Sequence, residues 1–234
     1  MKKIYLFASL CLFLISCAEK KEETNVRTDV ITQELQASMT PDQILDSLKV
    51  RNERFSKGKM TRVDYTSQIV KSESSQYPAA VILSCLDSRV PVETIFDLSI
   101  GDVFVARVAG NIVNPDILGS MEYGCKVSGS KLIIVLGHSQ CGAIKSAIDS
   151  VKLGNITELL SKIQPAVDSV SLVTSDKSSK NKDFVKKVTD ENVMLTIENI
   201  RKNSPILKEM EDKGEIQIVG GVYELDNGKV SFFK

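Results

Sequence analysis

The sequence predicts an α/β fold with a central, mainly parallel β-sheet flanked by helices and an N-terminal helical arm. Three observations predict it. The runs Ala79-Ala80-Val81-Ile82-Leu83-Ser84, Val103-Phe104-Val105-Ala106 and Leu132-Ile133-Ile134-Val135-Leu136 are continuously apolar, without the alternation of a half-exposed strand. Helical apolar patterns lie between and after them, so crossovers should join the strands in parallel. Two thiol-bearing motifs each follow one of these runs, where open α/β sheets carry their ligand sites.

The first segment stands outside the fold. Lys2 and Lys3 precede an apolar run, Ile4 to Ile15, too short to span a bilayer comfortably. The run ends in Leu14-Ile15-Ser16-Cys17. This is similar to the lipobox of bacterial lipoproteins, in which the leader is cut before a cysteine that then carries lipid. The expectation is a leader over 1–16, a lipid on Cys17, and a polar tether over 17–39. The protein would then be exported and held on the periplasmic or cell-surface side of a bacterial membrane.

Residues 40–234 should form one domain; roughly 190 residues suffice for a single core. Thr40-Pro41-Asp42-Gln43 reads as a helix start, with Thr40 capping, Pro41 in the first turn and Gln43 completing a capping box. Ile44, Leu45, Leu48 and Phe55 continue it as an apolar stripe. A polar stretch over 56–76 precedes the first strand. Helical patterns follow at 91–97, 116–127 and 141–150, then at 155–173, 182–203 and 205–212. Ile216 to Tyr223 and Val230 to Phe233 close the chain as strands, with Asn227-Gly228 as a two-residue hairpin signal.

Charge excludes one class of partner. Lysine plus arginine equals aspartate plus glutamate at 30 each, so no net positive charge is available for nucleic acid.

The chemistry gathers around one histidine. The chain has a single His, in His138-Ser139-Gln140-Cys141, downstream of Cys85-Leu86-Asp87-Ser88-Arg89. Two thiols and one imidazole make a three-ligand zinc set with a fourth position open to water. A structural site would offer four protein ligands, usually paired Cys-x-x-Cys knuckles, and none is present. Of five cysteines, Cys11 leaves with the leader and Cys17 takes lipid. Cys85, Cys125 and Cys141 remain, an odd count for a disulfide framework, although a Cys85–Cys141 disulfide is the competing reading. Cys125 sits in an apolar pattern and reads as a buried structural thiol.

Cys85-x-Asp87-x-Arg89 with His138-x-x-Cys141 resembles the signature of the β-class carbonic anhydrases. Asn52-Glu53-Arg54-Phe55, Ser88-Arg89-Val90-Pro91, Ala106 to Asn111 and Gly119 to Tyr123 resemble further blocks of that family, in its order. The resemblance covers about residues 41–233. It implies a β-carbonic anhydrase-like fold, one Zn2+ per subunit on Cys85, His138 and Cys141, and reversible hydration of CO2 to bicarbonate. It makes Asp87 and Arg89 the family's catalytic carboxylate–guanidinium dyad. It places Gln76 as a hydrogen-bonding group for substrate and Phe104, Ala109, Tyr123 and Gly142 around a small apolar CO2 pocket. It implies a homodimer or dimer of dimers built through N-terminal helices and a shared sheet, with Gln76, Phe104 and Tyr123 serving the neighbouring subunit. Some members carry valine at the position of Ala109. Others carry a tryptophan near the first zinc cysteine, where this chain has Ile82 and Ser84.

Two competing functions remain open on the sequence. One is hydrolysis of CS2 or COS by the same ligand set. The other is a surface lipoprotein that holds zinc without catalysis, which would have no use for Asp87, Arg89 and Gln76.

Overall fold

The computed structural model describes residues 26–171 and 176–233. The leader and Cys17 lie outside the described residues. No helix of the described residues is long and apolar enough to cross a membrane.

A five-stranded sheet runs through the centre, in the order β2-β1-β3-β4-β5. Its strands are β1 (Ala80–Ser84), β2 (Val103–Arg107), β3 (Leu132–His138), β4 (Gln217–Tyr223) and β5 (Val230–Phe233). The first four are parallel and β5 is antiparallel. The apolar runs lack alternation because both faces of the sheet are covered. Ile82 and Ile134 face a core with Leu45, Leu48 and Phe96. Val81, Leu83, Ile133 and Val135 face the opposite core with Ile197, Leu207 and Ile218.

The helices are α1 (Gln33–Ser38), α2 (Pro41–Ser56), α3 (Tyr65–Ser72), α4 (Val92–Ile95) and α5 (Pro115–Glu122). They continue as α6 (Gly142–Ile148), α7 (Gly154–Ser161), α8 (Gln164–Ser171), α9 (Lys182–Asn203) and α10 (Pro205–Asp212). The expected capping box opens α2: Thr40 Oγ accepts from Gln43 N and Gln43 Oε1 accepts from Thr40 N.

Several expectations are corrected. The tether expected over 17–39 is packed against the domain from Arg27 onward. Arg27 makes a bidentate ion pair with Asp102 at 2.6–2.7 Å. Its backbone bridges to Val63. Gln36 is buried in α1 and donates to the carbonyls of Pro78 and Ser128 at 2.8 and 2.9 Å. Arg27 neutralises a carboxylate and Gln36 satisfies two backbone carbonyls, which polar composition alone does not reveal. Within the expected polar stretch, α3 forms behind an Asp64 cap that accepts from Ser67 N at 3.0 Å.

The helix expected over 155–173 breaks into α7 and α8. Pro165 sits in the first turn of α8, where its missing N–H is tolerated, and it disfavours helix in the residue before. The Asn227-Gly228 turn is wider than a two-residue hairpin. Gly228 N donates to Glu224 O and only Gly228 of the two has positive φ, whereas a type I′ turn needs both. The helix expected over 116–127 becomes α5 followed by a wide π turn, Tyr123–Val127. There Gly124 comes so close to β1 that a Cβ would meet Val81 Cγ2 at 2.5 Å.

Candidate metal centre and active site

The chain leaves β1 for β2 on one side and returns for β3 on the other. The strand order therefore reverses between β1 and β3, and ligand sites of open α/β sheets lie beyond the carboxyl ends at such a point. Cys85 follows β1, His138 ends β3 and Cys141 caps α6. All three side chains are buried, and their ligand atoms lie within 4.8 Å of one another. The strand pairing that places Ser84 opposite Leu136 sets this approach.

The donor set fits a zinc ion. Cys85 Sγ and Cys141 Sγ are 4.0 Å apart, and both thiols are free. A disulfide needs about 2.05 Å, so the competing disulfide reading is set aside. Two thiolates on one tetrahedral zinc, with bonds near 2.3 Å, stand roughly 3.8 Å apart. His138 Nδ1 is 2.9 Å from the Ser139 carbonyl, which can only accept, so Nδ1 carries the proton. Nε2 is then a bare lone pair, fully buried and without a hydrogen-bond partner. A buried acceptor facing two sulfurs is a poor core arrangement and a good ligand set.

The two thiols behave as a pair. A hydrogen bond from Cys141, against the cost of burial, favours the thiolate at Cys85 and holds its pKa below the usual thiol range. The same bond and burial push Cys141 up. The Gly110 amide also donates to Cys85 Sγ at 3.4 Å. Asn192, buried on α9, fixes that turn by donating to Gly110 O at 2.9 Å. Cys125 has no such neighbours, and burial pushes it up to about 12.

Asp87 and Arg89 are in direct contact. Arg89 Nε and Nη2 donate to the two carboxylate oxygens at 2.9 and 2.7 Å. This bonding, chiefly, holds Asp87 well below the usual carboxylate range. Asp87 Oδ2 is 3.9 Å from His138 Nε2, so the carboxylate borders the metal position while Arg89 keeps it.

The expected substrate residues divide. Ala109 lies in the turn beside Gly110, and Gly142 opens α6 next to Cys141. Phe104 and Tyr123 pack edge to face, 6.4 Å between centroids. They line an open cleft along edge strand β2 with Val81, Ala106, Ile117 and Asp116, and that cleft contains none of the metal-site residues. Gln76 is exposed between α3 and β1. Sequence reasoning missed three contributors: Arg107, which donates to Cys85 O and Asp87 O; the Gly110 amide; and Asn192. Arg107 could have been noticed as a charge ending an apolar strand.

A family model described as carbonic anhydrase matches residues 80–230. The chain is 35% identical over 192 residues to carbonic anhydrase 2 of Mycobacterium tuberculosis, covering 78% of this chain and 88% of that protein. Among solved structures it is similar to a Coccomyxa β-carbonic anhydrase in complex with acetazolamide, with TM-score 0.63, 28% identity, and 71% and 76% of the two chains covered. It is also similar to a tetrameric β-carbonic anhydrase of Sordaria macrospora, with TM-score 0.63, 25% identity, and 70% and 85% covered.

Proposed function

Because the chain belongs to the β-class carbonic anhydrase family, we propose that it interconverts CO2 and bicarbonate with a zinc ion held by Cys85, His138 and Cys141. The observation that carries this reading is the bare, buried Nε2 of His138 facing two free thiols, with an arginine-held carboxylate beside it. Zinc bound there would lower the pKa of water and so supply a nucleophile near neutral pH.

The chain's own residues do the rest. Asp87, kept ionised by Arg89, accepts a hydrogen bond from the attacking oxygen and so aims its lone pair at CO2. Arg89 also keeps the carboxylate from taking the substrate's place. The apolar side chains of Phe104, Ala109 and Tyr123, with the bare backbone at Gly142, suit a small apolar molecule. The Gln76 amide suits a substrate oxygen. Phe104 and Tyr123 line a cleft that holds none of the metal-site residues and Gln76 is exposed, so these three would act across the interface of a homodimer or dimer of dimers. His138 is the only histidine, so the released proton leaves through buffer or a carboxylate.

The protein would work at a membrane surface, held by lipid on Cys17; the Leu14-Ile15-Ser16-Cys17 sequence supports this. Mass analysis of the N-terminal peptide tests it, since an unmodified Cys17 or an uncut leader would rule the anchor out. Metal analysis combined with a CO2 hydration assay tests the enzymatic reading. One zinc per chain with turnover supports it, and bound zinc without turnover favours a metal-holding role.

A further inference from the structure

Arg107 is the last residue of β2 and lies in register with Ser84, the last residue of β1. Its guanidinium reaches over the end of β1 to the turn that follows. Nε donates to Cys85 O at 3.0 Å and Nη2 donates to Asp87 O at 2.6 Å. One planar fork thus spans both ends of Cys85-Leu86-Asp87, whose first side chain is a metal-ligand candidate and whose last is the dyad carboxylate.

Little else holds that turn. Leu86, between the two carbonyls, is 61% exposed, so its side chain anchors nothing, and only Cys85 of the three is buried. Val90 N also donates to Asp87 O at 3.0 Å, and Arg89 grips only the Asp87 side chain. The carboxylate stands 3.9 Å from His138 Nε2, so a small rotation of the turn would move it into the Cys85–His138–Cys141 group. Lysine could not reproduce the contact, because an ammonium lacks the rigid fork that meets two acceptors at once.

We propose that Arg107 is a positioning residue that holds the Cys85–Asp87 turn by its two carbonyls and so keeps Asp87 on Arg89 and off the metal position. The proposal rests on the zinc reading above.

The test uses the full chain, loaded with zinc or with cobalt(II), as wild type, Arg107→Gln, Arg107→Lys and Arg107→Gln with Asp87→Asn. Both single variants should bind one metal per chain. In Arg107→Gln, kcat should fall at least about tenfold, the scale of lost support around metal ligands, while KM moves by less than about twofold. The visible spectrum of the cobalt form should shift as the carboxylate approaches the metal. That shift should vanish when Asp87→Asn is added. Arg107→Lys should recover little of the loss.

Wild-type kcat in Arg107→Gln, or a cobalt spectrum the same as wild type, would overturn the proposal. So would loss of metal or folding in both single variants, which would make Arg107 a structural support only. If wild-type protein binds metal without hydrating CO2, the enzymatic reading fails, and the cobalt spectra still decide whether Arg107 controls Asp87.

Discussion

Arg89 holds Asp87 at three points: its backbone N and Nε donate to Oδ1 at 2.9 Å each, and its Nη2 donates to Oδ2 at 2.7 Å. An exposed ion pair contributes little to stability, so this one is read through function. Replacing Arg89 with alanine should abolish CO2 hydration while zinc stays bound, because none of the three metal-ligand candidates is touched. Retained turnover would remove the clamp role.

The same pair sets a pH signature. Arg89, foremost, lowers the folded-state pKa of Asp87 below the ordinary value of about 3.9. A depressed carboxylate contributes stability that is present above the unfolded value and is lost as pH falls toward the folded one. The stability gap between wild type and Arg89→Ala should therefore be constant from about pH 5 to 8 and shrink below about pH 4. Urea unfolding across that range checks it; a gap that widens on acidification contradicts it.

The N-terminal segment offers a larger effect. Asp102 is buried and is paired by Arg27, with Arg51 farther off at 3.8 Å. Arg27→Ala leaves that carboxylate with the Ser99 amide and the more distant Arg51, and should destabilise the chain by about 1–3 kcal/mol. An unfolding free energy lowered by less than about 1 kcal/mol would show the segment to be dispensable.

How much of this could be read beforehand follows from where the information resides. The parallel strands were legible because both their faces are buried, so the residues of β1 and β3 read as unbroken apolar runs. The metal group was legible because each motif follows such a run. The contacts of Arg27 and Gln36 were not, because they depend on which acceptors, a carboxylate for one and two carbonyls for the other, lie nearby in space. Arg107 was visible as a charge ending an apolar strand, but its contacts were hidden for the same reason. Its partners are the backbone oxygens of Cys85 and Asp87, and backbone acceptors leave no mark on composition.

Gly137 is required by packing beside the site. A Cβ there would meet Val193 Cγ2 at 2.7 Å and Thr189 Cγ2 at 3.3 Å. Gly137→Ala should push α9 from the end of β3 next to His138 and cost about 1–3 kcal/mol, the usual range for overpacking. Thermal unfolding reads it, and an unchanged midpoint would show that α9 yields freely.

With its only histidine among the three metal-ligand candidates, the protein would have no imidazole left to carry protons outward. Turnover should rise strongly with buffer concentration. Saturation at very low buffer would indicate an internal proton carrier.

The most direct measurement is stopped-flow CO2 hydration by the zinc-loaded protein, with Cys85→Ala as control. Fast, buffer-dependent turnover that disappears in Cys85→Ala is the expected result. No turnover at pH 8.5 with zinc bound would contradict the account and leave a metal-holding protein or a related substrate in its place.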